Sequence, residues 1–290
     1  MQNIHSLRKQ GNAWLQKVLV PRLNDLLIFA DSKLNIIERF AARPEICRLV
    51  LNLPNLDSAF DEFILVHISD LHLDFWMSEK LLLETCDIIS QEKPDCVVIT
   101  GDFFTMCRGR HDPHTSFIDT LRQMASHQPT LAILGNHDFE FNADIIRDYL
   151  HTCDIHLLSN TVQTFERSDA QLHIAGLESI WTGEARMDHV LASLPETGAA
   201  ILLAHEPDYA VTSAMTGRFD LQLSGHTHGG QIYLPLLGLM GKTHLGVSFP
   251  WGLYHIGDML QYTNRGIGMA HLPIRINCPP EITVLSFKSV

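Results

Sequence analysis

Basic residues are scarce in this sequence. Lys and Arg number 21 against 33 Asp and Glu, a net charge of −12 at neutral pH. Such a chain has no broad positive field for gripping a nucleic acid backbone, which disfavours duplex binding and, with it, nuclease activity. No apolar run approaches the roughly 20 residues needed to span a bilayer. The N-terminal apolar stretches are cut by Pro21, Arg22, Asp25 and Asp31. No signal peptide with a continuous apolar centre opens the chain. Six cysteines, at 47, 86, 96, 107, 153 and 278, form no C-x-x-C pair and read as reduced thiols of a cytosolic protein. Repeats and low-complexity tracts are also missing. These absences predict a soluble or peripheral protein, anchored only if a segment upstream of Met1 supplies the anchor.

What remains is the composition of a packed protein, 46% hydrophobic and 19% charged over 290 residues, enough for one large or two small domains. The first part differs from the rest. Trp14, Leu15, Val18 and Leu19, then Leu23, Leu26, Leu27, Ala30, Leu34 and Ile37, recur at helical spacing on either side of Pro21. We read residues 1–60 as an N-terminal helical segment, with 51–62 the connection into a main domain over 61–290. Residues 1–22 carry Arg8, Lys9, Lys17 and Arg22 without any acid, which with the apolar face suits an anionic membrane surface. A helix docked on the domain would show the same pattern.

From Phe63 short β-rich runs alternate with helical ones. Strands are expected at 63–68, 96–100, 130–134, 171–176, 200–204, 220–224 and 281–287, and helices near 78–91, 114–126 and 142–150. Alternation of this kind points to a layered α/β domain with buried sheets.

The chemistry sits at the C-terminal ends of these strands. Five consecutive ends run into Asp70-Leu71-His72, Gly101-Asp102, Gly135-Asn136-His137-Asp138, His205 and Gly225-His226-Thr227-His228. Open α/β sheets place their sites at that edge. Asp70 and His72, two apart in an extended segment, would project to the same side. A donor set of Asp, Asn and His without Cys suits Mn²⁺, with Fe, Zn or Mg also compatible, rather than a thiolate zinc site. Seven such groups are too many for one ion and enough for two divalent ions sharing a carboxylate, the arrangement that serves phosphoester hydrolysis.

These five blocks, D-x-H, G-D, G-N-H-D, H and G-H-x-H, resemble those of the calcineurin-like metallophosphoesterases, over roughly residues 63–287. The resemblance implies an α/β fold, a four-layer αββα sandwich of two mixed β-sheets flanked by helices. It also implies Asp70, His72 and His228 as ligands of one ion, Asn136, His205 and His226 as ligands of the other, and Asp102 as the bridge. His137 is then left free to protonate a leaving oxygen, and Asp138 either orients it or forms the turn. The following G-G-Q (229–231), the N-R-G-x-G segment (264–268) and the close LPIRINCPPEI (272–282) are similar to the YaeI/YkuE-like branch. That branch includes a chlamydia-type UDP-2,3-diacylglucosamine pyrophosphatase of lipid A biosynthesis.

The expected substrate is therefore a phosphorylated lipid or nucleotide-linked lipid, met at the cytoplasmic face of the inner membrane, with no nucleic acid partner. The apolar tract 232–249 after His228 could form a cleft wall for acyl chains or pack as ordinary core. Arg108, Arg110 and Arg265 are candidates to hold a second phosphate, since guanidinium forks match phosphate oxygens. His111 and His114 are not added to the metal set. A phosphodiesterase acting on another nucleotide or phospholipid is the alternative. A catalytically inert scaffold is a third reading, disfavoured because each expected ligand is intact.

Overall fold

The computed structural model describes residues 43–290 except 74–75, 106–114, 236–237, 240, 242 and 271. The helical pattern and basic cluster of 1–42 lie outside the described residues. Fourteen strands are described: β1 (Glu45–Leu53), β2 (Ile64–Ile68), β3 (Cys96–Thr100), β4 (Thr130–Ile133), β5 (His156–Leu157), β6 (Thr161–Arg167), β7 (Ala170–Gly176), β8 (Ala199–Leu203), β9 (Leu221–Ser224), β10 (Tyr233–Leu234), β11 (Gly238–Leu239), β12 (Gly252–Ile256), β13 (Met259–Thr263) and β14 (Glu281–Ser289). The described helices are α1 (Glu79–Glu92), α2 (Thr115–Ala125), α3 (Asn136–Phe141), α4 (Ala143–Thr152), α5 (Met187–Ser193) and α6 (Ala210–Ala214).

Two six-stranded mixed sheets carry the fold, ordered β1-β14-β2-β3-β4-β5 and β12-β13-β9-β8-β7-β6, beside the small pair β10-β11. In the first, β2 to β5 run parallel with helices as crossovers, while β14 enters antiparallel to β2. Central strands are apolar on both faces because both faces are covered. Leu65, Cys96, Val98, Leu131 and Ile133 meet Leu172, Ile174, Ile201, Leu203 and Leu223 between the sheets. Their alternate neighbours Val66, Ile68, Val97 and Ile99 face a second core with α1, α2 and α4, containing Leu81, Leu82, Ile89, Leu121 and Ile146. On the far side Ala200 and Leu202 pack with Val190 of α5 and Ala210 of α6. The layers are thus α, β, β, α.

Local signals set the helix starts. Ser78 caps α1 by accepting the Leu81 N–H at 3.1 Å, and Asn142 caps α4 by accepting from Asp144 at 3.1 Å and Ile145 at 3.3 Å. The expected boundary at residue 60 requires correction. Glu45–Leu53 forms a nine-residue edge strand in parallel register with β14. Leu51, Leu53, Leu56 and Phe60 belong to the inter-sheet core. Residues 45–60 are therefore part of the main domain, held there by a partner strand more than 200 residues away.

Candidate metal centre

The C-terminal ends of β2, β3 and β4 lie opposite those of β8 and β9, and the site is built where the two edges meet. Gly135 lets the loops close, because a Cβ there would collide with the Asp102 carboxylate. Gly225 does the same against Ser69 and Asp70. Asp70, His72, Asp102, His226 and His228 all adopt left-handed backbone, with φ of 53°, 46°, 55°, 70° and 50°. Each such residue costs of order 1–3 kcal/mol and persists only where its surroundings hold it, a pattern concentrated at functional sites. Asp70 and His72 therefore converge through left-handed turns and not through the strand-like alternation expected from their spacing.

Two groups of buried side chains result, Asp70 with His72 and His228, and Asp102 with His205 and His226. Within each, one ligand atom per residue lies within 4.8 Å of the others. Asp102 joins them, its Oδ2 being 3.1 Å from His205 Nε2 and 3.9 Å from His72 Nε2. His72 Nε2 and His228 Nε2 face each other at 3.0 Å, and Asp70 Oδ1 is 3.4 Å from His228 Nε2. Asn136 stands beside Asp102 on the GNHD turn, and its Oδ1 is buried without a hydrogen-bond partner. A buried acceptor left unpaired is costly unless something else binds it.

Electrostatics agree with a site built for positive charge. Burial raises the Asp70 carboxyl, with the neighbouring Asp102 charge adding to the effect against His205, to about 6. Burial would lower the His205 imidazole, but Asp102 overrides it and carries His205 well above its ordinary value. His228, buried beside His72 and Arg275, is held well below. The donors are carboxylate, imidazole and one amide oxygen, all buried and convergent, and they fit a pair of divalent cations.

His137 lies at the start of α3, its backbone N–H donating to Asp102 Oδ1 at 3.0 Å and its ring edge-on to His72 at 5.5 Å. Burial opposes its protonation, yet Asp102 and Glu140 raise it to about 9. Asp138 does not orient this ring. Its two oxygens accept the backbone N–H groups of Gly135 at 2.9 Å and Phe104 at 3.0 Å, tying the GNHD turn to the GD loop. The carboxylate facing His137 Nδ1 is Glu140, at 3.4 Å, one turn along α3.

The arginines fall out differently from the expectation. Arg108 and Arg110 lie outside the described residues. Arg265 is committed to structure, pairing with Glu281 at 2.5 Å and Glu45 at 3.1 Å, and so is not a free phosphate fork. Arg275, which carries the P-x-R of the closing segment, is the guanidinium beside the metal groups. Glu206, directly after His205, was likewise not singled out from the sequence. Its buried carboxylate accepts from Ser179 Oγ at 2.5 Å and from the N–H groups of Ile180 and Trp181 at 3.1 Å. Only tertiary structure reveals these partners.

The site opens into a cleft of about 260 Å³ whose lining includes Asp102, His137, His226 and His228 together with Gln231, Ile232, Thr243, Ala270 and Leu272. Among the described residues no helix is long and apolar enough to cross a membrane.

Two sheet edges that converge on clustered carboxylates and imidazoles define a metal-dependent hydrolase. The sequence confirms the class: residues 63–230 match the calcineurin-like phosphoesterase family, and the chain belongs to it. It is 34% identical over 232 residues to the metallophosphoesterase YkuE of Bacillus subtilis, covering 79% of this chain and 80% of that protein. It is 29% identical over 227 residues to the phosphodiesterase YaeI of Escherichia coli, covering 77% and 81%. A metallophosphoesterase of Campylobacter jejuni, Cj0846, is 30% identical over 271 residues, covering 92% and 68%. The chain is thus a metal-dependent hydrolase of phosphoester bonds, of a family that uses a dinuclear divalent centre.

Proposed function

We propose that this enzyme hydrolyses the pyrophosphate of UDP-2,3-diacylglucosamine, releasing UMP and 2,3-diacylglucosamine 1-phosphate, with two Mn²⁺ ions held by Asp70, His72, His228, Asn136, His205, His226 and a bridging Asp102. The observation that supports it is a pair of ligand groups linked through Asp102, in a cleft whose lining also includes the apolar side chains Ile232, Ala270 and Leu272. Such a cleft suits a substrate that is charged at one end and lipidic at the other.

When bound, the paired cations would supply Lewis acidity and an activated water for in-line displacement at phosphorus. The protein's part is positioning and proton transfer. Thr100 and His244 backbone oxygens accept from His205 Nδ1 at 2.6 Å and His226 Nε2 at 2.7 Å, which leaves the other ring nitrogen of each free to ligate. His137, protonated and with Nδ1 toward Glu140, offers its Nε2 proton to the departing phosphate oxygen. The basic and apolar N-terminal segment would bring this cleft to the cytoplasmic surface of an anionic inner membrane.

The test is product analysis by mass spectrometry, with Mn²⁺-loaded protein and UDP-2,3-diacylglucosamine in detergent. UMP and the lipid monophosphate, abolished by chelator, are the expected result. Hydrolysis of a simple aryl phosphodiester without turnover of the lipid would retain the centre and reassign the substrate to another nucleotide or phospholipid, as the name of YaeI suggests. Polar replacements of Trp14 and Leu15 that leave activity on vesicle-borne substrate intact would remove the membrane part.

A further inference from the structure

His226 is flanked by an aromatic side chain that the reactions described above leave unused. Trp181 follows β7 at the edge of the second sheet, its ring 5.8 Å from that of His226 and 5.2 Å from that of His244, at interplanar angles of 63° and 81°. Both contacts are edge-to-face, and 45% of the side chain remains exposed. Tryptophan is the largest apolar side chain and is mostly covered on average, as Trp76 is here. An open indole beside a predicted metal ligand is therefore a surface with something to meet.

The indole is also held in place. Ser179 Oγ and the N–H groups of Ile180 and Trp181 donate to the Glu206 carboxylate, at 2.5, 3.1 and 3.1 Å. Thr182 Oγ1 closes the turn on the Ser179 carbonyl at 3.1 Å, and the Gly183 and Glu184 N–H groups donate to the Ile180 and Ser179 oxygens at 3.1 and 3.2 Å. Glu206 is fully buried and directly follows His205, so one short segment carries both a metal-group imidazole and the carboxylate that fixes Trp181. Burying a carboxylate is costly unless its oxygens are bonded, and here the bonds go into a turn that presents one aromatic ring. A surface ordered in advance loses little entropy when a ligand meets it.

We infer that Trp181 is the platform on which the planar base of a nucleotide substrate stacks while its phosphate lies at the metal centre. This rests on the proposed function and deepens its nucleotide half. Bases stack on aromatic side chains, and every base has a π-face, so the class recognised is a nucleotide rather than one particular base. Among the described residues Trp181 is not part of the lining that holds Ile232, Ala270 and Leu272, whereas His226 belongs to that lining and touches the indole. The base and the lipid therefore meet different surfaces on either side of a shared phosphate.

The experiment is calorimetric titration of the Mn²⁺-loaded full chain with UMP and with ribose 5-phosphate, which carries the same sugar and phosphate without a base. The wild type should bind UMP at least about fivefold more tightly, the lower end of what stacking one base supplies. UMP should also quench its indole fluorescence. Trp181→Ala should remove the preference, with binding of ribose 5-phosphate and retained Mn²⁺ unchanged, and Trp181→Phe should keep part of the preference while losing the quench. No preference in the wild type would overturn the inference. So would equal weakening of both ligands, or loss of Mn²⁺, in Trp181→Ala, which would make the indole a prop for His226. An undiminished quench in Trp181→Phe would place the base elsewhere and overturn it as well. Turnover of UDP-2,3-diacylglucosamine without any preference for UMP would keep the proposed function and discard the platform. A Trp181-dependent preference for UMP without turnover of that lipid would keep the platform and reassign the substrate.

Discussion

The two sheets bring unlike things to one site. The edge of the first supplies both carboxylates, Asp70 and Asp102, with Asn136, His72 and His137. The edge of the second supplies imidazoles alone, His205, His226 and His228. Each ligand group straddles the gap, since Asp70 and His72 need His228 while Asp102 needs His205 and His226. Each complete ligand group draws on both sheets. The centre exists only where the inter-sheet core sets the two edges in register, so metal binding and sheet packing are linked free energies.

The strongest challenge to that comparison is Asp102→Ala, because Asp102 is the contact common to both groups. Both ions should be lost on desalting, and hydrolysis should fall more than about 10⁴-fold, as for a residue acting within a catalytic unit. Retention of one ion would show that the halves are independent. His137→Ala should lower turnover about 10²–10⁴-fold, the range for a positioned acid, with two ions still bound. Metal content after desalting separates the two variants.

The link to packing is tested by a matched pair. Leu203 is fully buried between the sheets at the end of β8, and Leu82 is 1% exposed in the core between the first sheet and its helices. Replacing either with Ala should cost about 2–5 kcal/mol in urea unfolding. Only Leu203→Ala should also weaken Mn²⁺ binding, because only that cavity loosens one edge against the other. Equal metal affinities in the two variants would break the comparison.

Much of this site is legible in the sequence because its ligands follow short strands with strong local signals. Asp70, Asp102, Asn136, His205 and His226 announce themselves as polar residues where apolar runs stop. The parts that are not legible depend on distant partners. Glu45–Leu53 alternates, with Cys47, Leu49, Leu51 and Leu53 toward the inter-sheet core and Arg48, Val50 (62% exposed) and Asn52 outward, but only its pairing with β14 shows that this run belongs to the main domain. Asp138 and Glu140 both lie within hydrogen-bonding range of a helix start by sequence, and only the placement of the Phe104 amide decides which of them faces His137. Arg265 and Arg275 are equally good phosphate forks on paper. Glu281 and Glu45 claim the first, and a ring of carbonyls claims the second.

His67 sharpens the account of the interface from another side. It is fully buried on β2, its Nε2 bonded to Thr100 Oγ1 at 2.8 Å, and burial lowers it from 6.5 to about 3. The folded chain therefore keeps it neutral while the unfolded chain protonates it below 6.5. Its contribution is fully present above that pH and is lost as pH falls toward 3, at no more than about 1.4 kcal/mol per pH unit. Urea unfolding at a series of pH values should show a shallower acid decline for His67→Gln than for the wild type. Parallel declines would mean that His67 is protonated in the fold.

The smallest effect belongs to a pair that needs only the first sheet. Glu140 and His137 are one turn apart on α3, so proton handling, unlike metal binding, does not require the second sheet's edge. Glu140 adds to Asp102 in holding the His137 proton, and removing its charge lowers the affinity of that ring for a proton. The rate carried by protonated His137 is lost as pH rises through its pKa, so Glu140→Gln should move the alkaline limb of kcat to lower pH. The loss at neutral pH should be only several-fold, with KM and metal content unchanged, since the carboxylate touches neither ligands nor cleft. An unshifted limb would place the proton on a group other than His137. A shift accompanied by loss of metal would instead tie proton handling to the same two-sheet register that holds the ions.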